Sequence, residues 1–213
     1  MCGNSDMMEE TSRKEFLTCD QDMLIRKCGL ESDEHFLYIR FLNDEYAVDR
    51  KFGFISPKGT AEQAPHIAKM AIYDLLCYHK DDPCLPALSG EWKSVADLGG
   101  IIGASHAKRL HSDAIVGKLA GKCDFLRSAC EERGGKAQKG GDVSYLLPVF
   151  DFFPVWFQFW DADDEFPADV RFLWDANSEA FIHYEILYYV TAHIEELFGA
   201  QEEETAAIGI QRI

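Results

Sequence analysis

Three successive strands rich in aromatic residues are predicted in the last third of the chain, and they constrain its fold more than any other feature. They cover residues 143–149, 155–160 and 170–174. The middle strand has large apolar side chains on both faces of its alternating pattern, which is typical of a strand covered by other elements. Residues 184–198 follow with apolar side chains three and four positions apart, as in an amphipathic helix. We therefore expect a C-terminal antiparallel sheet closed by a helix.

The first half of the chain predicts a small sheet and several helices. Within residues 36–42, Leu37, Ile39 and Phe41 share one face of a strand, and residues 45–49 return after the turn residues Asn43 and Asp44, a pattern that indicates a β-hairpin. Capping residues and apolar spacing predict four helices, at residues 21–28, 65–79, 105–120 and 124–133. Asp20 is suited to cap the first of them.

These elements predict the fold class and the limits of the domain. The class is α+β, with an N-terminal β-hairpin, a helical middle and a C-terminal antiparallel sheet with a closing helix. We expect a single domain over residues 15–198, with a proline-containing loop at 81–90 where two lobes could divide. Residues 1–14 are expected to be a disordered leader, and residues 199–213 an acidic tail.

The charge balance excludes two classes of partner. The chain has 21 basic and 37 acidic residues and a net charge of −16. Nucleic acid is excluded because phosphate binding requires clustered Lys and Arg, and an anionic membrane surface is excluded because it attracts basic faces. No secretory signal and no apolar run of ~18 residues is found, so we expect a cytoplasmic protein. The seven cysteines are an odd number, which indicates free thiols in a reducing compartment.

The segment most suited to carry function is acidic and contains no Lys or Arg. Seven carboxylates lie between residues 140 and 170, at Asp142, Asp151, Asp161, Asp163, Asp164, Glu165 and Asp169. Crowded carboxylates raise one another's pKa and are stabilised by a cation. Trp156, Trp160 and Trp174 add ring faces that also attract positive charge. The segment predicts a site for a metal ion, an organic cation or a basic partner, and the alternative is a solvated turn between two strands.

A calcium-loop template tests the metal hypothesis. Four acids fall at its positions 1, 3, 5 and 9, namely Asp161, Asp163, Glu165 and Asp169. Phe166 replaces the glycine of position 6 and Phe172 the glutamate of position 12, so the EF-hand pattern is not met. A looser Mg²⁺ or Ca²⁺ site at these four acids stays a hypothesis.

Other candidate residues lie outside the acidic segment. Glu91 and Trp92 follow the proline-containing loop, and Asp175 is suited to a turn or a helix cap. Glu185 opens the last helix, where the helix dipole stabilises a carboxylate. A glycine-rich stretch at 99–103 follows no predicted strand, so no nucleotide or flavin cofactor is indicated.

Four segments resemble one known family, and they are FPVWFQFWDADDEFPA at 153–168, LSGEW at 88–92, FLWD at 172–175 and FIHYE at 181–185. The family is an uncharacterised bacterial and archaeal domain of unknown function, commonest in anaerobes. Some relatives carry an iron–sulfur cluster domain like that of corrinoid proteins, so the resemblance implies an anaerobic redox or one-carbon setting. It implies no catalytic residues. This chain lacks the cluster-binding cysteines, and Trp174 stands where the family usually has Phe.

Three functional hypotheses follow from these patterns. The first is an accessory protein that binds a protein partner or a small cationic ligand through the acidic, Trp-rich C-terminal sheet. The second is a metal-dependent enzyme whose carboxylates divide into acid and base, with candidates Asp161, Asp164, Asp175 and Glu185. The third is a thiol-based metal or redox carrier that uses Cys77, His79 and Cys84.

Overall fold

The computed structural model describes residues 4–78, 81–98 and 113–210, and the side chains of residues 6–78, 81–98 and 116–201. Two antiparallel sheets and the helices around them form the described part of the chain. The predicted α+β class, with its N-terminal hairpin, helical middle and closing helix, is confirmed.

The N-terminal sheet has four strands in the order β1-β2-β3-β4. They are β1 (Glu31–Ser32), β2 (Phe36–Phe41), β3 (Asp44–Asp49) and β4 (Ile55–Pro57). The predicted hairpin is β2–β3, and its two-residue turn places Leu42 and Asn43 at positive φ. Such turns match the twist of the flanking strands, and Asn tolerates this conformation well.

The C-terminal sheet has five strands in the order β5-β9-β8-β7-β6. They are β5 (Trp92–Ser94), β6 (Lys136–Ala137), β7 (Val143–Phe150), β8 (Phe153–Trp160) and β9 (Asp169–Asp175). The three predicted aromatic strands are confirmed as β7, β8 and β9. The sequence did not predict β5, because this short strand depends on pairing with β9, about 80 positions along the chain.

Two helices near the N-terminus are α1 (Asn4–Phe16) and α2 (Gln21–Cys28). The capping prediction for α2 is confirmed, since the Asp20 side chain accepts a hydrogen bond from the Met23 amide at 3.0 Å. The disordered leader is a wrong prediction for residues 4–14, which belong to α1. This helix is ordered because it packs on the third helix, α3 (His66–Cys77), and Phe16 at its end is fully buried.

Among the described residues, the middle of the chain contains three helices, α4 (Val95–Leu98), α5 (Asp113–Leu119) and α6 (Cys123–Glu132). The last of these confirms the helix predicted at 124–133. Of the helix predicted at 105–120, residues 105–112 lie outside the described residues, as does the glycine-rich stretch at 99–103.

The closing helix is α7 (Tyr184–Ile210), and it continues well past the predicted end at residue 198. The expected acidic tail therefore begins as part of this helix. α7 covers the inner face of the C-terminal sheet, where the Phe198 and Phe157 rings lie 5.2 Å apart. In the part of the chain that the structure describes, no helix is both long enough and apolar enough to cross a bilayer.

Candidate functional site

The residues predicted to form one acidic, Trp-rich site lie at separate places in the structure. Trp160 pairs with Asp169 at one end of β9, whereas Trp92 pairs with Asp175 at the other end. Six residue steps along a strand separate these ends by roughly 20 Å. Glu185 lies on α7 and not on the sheet. The paired carboxylates of the enzyme hypothesis are therefore not gathered at one centre.

The acidic turn, residues 160–169, uses two of its carboxylates to hold its own backbone. Asp161 accepts hydrogen bonds from the amides of Gly121 at 2.7 Å and Ala162 at 2.8 Å. Asp163 accepts from the amides of Glu165 and Phe166 at 2.8 and 2.7 Å. These backbone hydrogen bonds lower the pKa of both Asp161 and Asp163 below the ordinary value. Both groups are ionised at neutral pH and stabilise the turn.

The other acids of this turn point to solvent or to a neighbouring arginine. Asp164 and Glu165 are exposed, and Asp169 lies 3.1 Å from the Arg171 guanidinium. That guanidinium also stands 4.6 Å from the centre of the Trp160 ring. The chain thus supplies its own cation to this Trp.

No metal-ligand set is assembled in this turn. Among the described residues, no group of three or more His, Cys, Asp or Glu side chains is arranged to hold a metal ion. The four acids of the hypothetical Mg²⁺ or Ca²⁺ site do not converge, because two of them cap backbone amides and one pairs with Arg171.

The candidate tryptophans differ in their burial and in their contacts. Trp92 and Trp156 meet edge to face with ring centres 5.6 Å apart, and the Trp156 indole donates to the Ser144 hydroxyl at 2.8 Å. Both are half-buried. Trp174 is fully buried, and its indole donates to Thr191 of α7. Trp174 is therefore part of the core and is not accessible to a ligand.

Asp175 fastens a loop to the end of β9. Its fully buried carboxylate accepts hydrogen bonds from the Ser89 amide and hydroxyl, the Gly90 amide and the Asn177 amide, at 2.7 to 2.9 Å. Burial raises the pKa of Asp175, but these hydrogen bonds outweigh burial and leave the pKa below its ordinary value. Glu91 is exposed, and its carbonyl accepts from the Ala176 amide at 2.7 Å. These hydrogen bonds hold the loop on the end of β9. Each carboxylate oxygen of Asp175 accepts at least one of them, so neither is left for a substrate.

A groove between α1, α3 and α7, called here the α3–α7 groove, was not predicted from the sequence. It has a volume of about 500 Å³. Its apolar lining consists of Met8, Ile67, Met70, Ile186, Tyr189 and Ala192. The polar side chains that border it are His66, Glu185, His193 and Glu196. Glu185 is thus a candidate residue from the sequence that borders this cavity.

Hydrogen-bond acceptors dominate the polar border of this groove. The Nδ1 atom of His193 lies 4.0 Å from the Oε2 atom of Glu196. Burial lowers the pKa of His193 below its ordinary value, so its imidazole is neutral at pH 7. The ammonium of Lys69, the neighbour of Met70 in α3, binds the Glu9 carboxylate at 2.6 Å. The groove therefore presents carboxylates and a neutral imidazole around an apolar floor.

A histidine–aspartate pair lies beside the groove. The His183 Nδ1 atom stands 2.6 Å from one carboxylate oxygen of Asp74, and the His183 amide donates to the other at 2.7 Å. The Tyr78 ring packs on the imidazole at a centre-to-centre distance of 3.7 Å. Burial raises the pKa of Asp74, and the bonds from His183 oppose this rise. The pair positions one imidazole at the start of α7.

The sequence carried only a faint signal for these residues. His66, Met70, Asp74 and Tyr78 recur every four positions, so they share one face of α3. The polar members of that face interrupt an otherwise apolar helix. The partner of Asp74, however, is 109 positions away, and no spacing rule predicts it.

Comparison with known proteins gives a match to a family model. A family model described as "Domain of unknown function (DUF3786)" matches residues 20–196. No curated protein and no solved structure matches the chain.

Proposed function

The chain belongs to the DUF3786 family, a domain of unknown function, and from this premise we propose that it is a small-ligand-binding protein. The proposed ligand has an apolar body and a protonated amine, and it binds in the α3–α7 groove. This is the cationic small molecule of the sequence-based hypothesis, moved from the acidic turn to the groove.

One observation carries the proposal, which is an apolar groove of about 500 Å³ bordered by the carboxylates of Glu185 and Glu196. Small-molecule sites have volumes of about 300–1,000 Å³ and combine a mostly apolar lining with a few polar groups. Burial of the apolar body on Met70 and Ile186 would supply affinity. A charge-assisted hydrogen bond from the amine to a carboxylate would fix its orientation.

The charge of the groove favours a cation over an anion. Lys69, next to the groove, is engaged with Glu9, and His193 is neutral because burial lowers its pKa. The net charge of −16 also attracts cations over a distance. An anionic ligand would instead face the carboxylates of Glu185 and Glu196.

Calorimetry with n-octylamine, n-octanol and octanoate tests the ligand chemistry. We expect binding to follow the order amine, alcohol, carboxylate, because the chain length is shared and only the head group changes. Replacement of Glu185 and Glu196 together by Gln should weaken amine binding by about tenfold or more, since a hydrogen bond to a charged group contributes about 1.5–3 kcal/mol. Binding of the alcohol should change much less.

A matched pair of variants tests the location. Ala192→Trp places an indole in the groove, whereas Ala200→Trp places one on an exposed position of the same helix. Loss of octylamine binding in the first variant alone supports the groove. Equal affinity in both variants would contradict it.

The acidic turn is the second candidate location, for a basic partner segment rather than a small molecule. Phe166 favours it, because this large apolar side chain is 66% exposed among the acids of the turn. Asp164→Asn combined with Glu165→Gln is its test. If this double variant loses binding to an oligolysine peptide and the groove variants keep it, the basic segment binds at the turn.

A further inference from the structure

Two cysteines far apart in the sequence meet in the structure. Cys19 follows α1 and Cys77 ends α3, and their sulfur atoms lie 3.8 Å apart although 58 positions separate them. The sequence had grouped Cys77 with His79 and Cys84. Cys84 is exposed, and His79 lies outside the described residues.

The separation of the two sulfur atoms is short enough for a bond. An S–S bond measures about 2.05 Å, so each sulfur would move by about 0.9 Å. Side-chain rotation at Cys19, which follows α1 and is half-buried, can supply much of this movement.

Three other described cysteines have thiols whose pKa is raised by their surroundings. Cys28 and Cys130 are buried singly. Burial raises the pKa of Cys28 to about 11 and raises that of Cys130 further. Burial and the neighbouring Asp161 raise the pKa of Cys123. Thiols held in the protonated form are poor nucleophiles, whereas the half-buried Cys19 has a second sulfur within reach.

We propose that Cys19 and Cys77 form a reversible disulfide, with a low-molecular-weight disulfide as the oxidant. The Cys19 thiolate attacks the oxidant and releases one thiol, which leaves a mixed disulfide on Cys19. The Cys77 thiolate then attacks the Cys19 sulfur and releases the second thiol. Two protein thiols are oxidised to one disulfide, and one small disulfide is reduced to two thiols, so electrons and protons balance.

The bond would tie the end of α3 to the connection between α1 and α2. Both α1 and α3 line the α3–α7 groove, through Met8 and Met70. Oxidation would therefore hold two walls of the groove together. The disulfide itself does not depend on any ligand, so its test is independent of the proposed function.

The experiment titrates the reduced full-length chain with glutathione disulfide and measures intact mass and peptide maps. We expect the loss of two hydrogen atoms, a cross-linked peptide pair containing Cys19 and Cys77, and reversal by excess dithiothreitol. Cys77→Ser should stop at a glutathione adduct on Cys19. Cys19→Ser should give no internal disulfide, and Cys84→Ser, the matched control, should behave like the wild type.

Three results would overturn the proposal. One is a stable glutathione adduct on Cys19 in the wild type without internal bond formation. Another is a disulfide that pairs Cys77 with Cys84. The third is that Cys19 and Cys77 stay reduced while the exposed Cys84 reacts with glutathione disulfide. Far-ultraviolet circular dichroism of each variant shows whether it is folded. If replacement of the buried Cys77 prevents folding, the Cys19→Ser variant still tests the proposal, because Cys19 is partly exposed.

Discussion

Replacement of Asp175 by Asn tests whether this buried carboxylate holds the loop at residues 89–90 on the sheet. Four donors converge on its two oxygens, three on Oδ1 and one on Oδ2. The Asn side chain has nearly the same shape, but it turns one acceptor into a donor and removes the charge. The perturbation therefore changes hydrogen bonding while it leaves the packing intact.

The size of the effect follows from counting hydrogen bonds. With the amide oxygen in the position of Oδ1, three donors keep an acceptor, and the Gly90 amide faces an NH₂ group. Loss of one hydrogen bond to a charged group costs about 1.5–3 kcal/mol, so we expect the free energy of unfolding to fall by about 2 kcal/mol. Asp175→Ala removes the acceptors of all four hydrogen bonds, so its loss should exceed that of Asp175→Asn and reach about 4 kcal/mol or more.

The effect of Asp175→Asn should depend on pH. Hydrogen bonds hold the pKa of Asp175 in the folded state below its ordinary value, so the charged form stabilises the fold above the unfolded pKa of about 3.9. This contribution is lost as the pH falls through the folded pKa. The difference between wild type and Asp175→Asn should be constant from pH 8 to 5 and shrink below pH 4.

Urea unfolding followed by tryptophan fluorescence measures both effects. Asp169→Asn is the matched control, because it removes the same charge from the exposed end of the same strand. Its effect should be below about 0.5 kcal/mol. Equal small losses for the two variants at pH 7, or a difference that does not change in acid, would refute the role given to Asp175.

Three further predictions concern the fold. Deletion of residues 1–14 should lower the melting temperature measured by calorimetry, because most of α1 is lost from α3; an unchanged value would restore the view that these residues are only a leader. Gly135→Ala places a Cβ 2.6 Å from a backbone carbonyl and should cost about 1–3 kcal/mol in urea unfolding, whereas the unobstructed Gly117→Ala in α5 should be neutral or stabilising. Trp174→Phe should cost about 1–3 kcal/mol in the same assay through lost burial and the lost bond to Thr191; no loss would mean that the indole contributes nothing to the core.

The sequence predicted elements whose signals are local. The β2–β3 hairpin follows from alternation around a two-residue turn, and α2 follows from the capping carboxylate of Asp20. The strands β7, β8 and β9 follow from their dense alternating aromatics. Helix α1 was missed because its composition is polar and its order comes from packing on α3, where Phe16 meets Tyr73 with ring centres 6.3 Å apart.

The candidate site was predictable only in part, for the same reason. The crowded acids predicted an acidic segment, and the structure shows it as a turn. Backbone amides donate hydrogen bonds to Asp161 and Asp163, so these carboxylates are less able to bind a ligand. The pairing of Asp74 with His183 joins residues 109 positions apart, and its geometry exists only after folding. Neither spacing nor composition contains such contacts. The cellular setting implied by the resemblance, anaerobic redox or one-carbon metabolism, stays a prediction, as does the division into two lobes near residues 81–90.

The turn of the β2–β3 hairpin has a mechanical consequence for the whole chain. The Leu42 amide donates to the Val149 carbonyl of β7 at 3.0 Å, and the Asn43 side chain donates to the Glu132 carbonyl at 3.1 Å. The hairpin tip is thereby bonded to β7 of the C-terminal sheet and to the end of α6. Because these hydrogen bonds connect the two sheets, we expect both sheets to unfold in one shared transition.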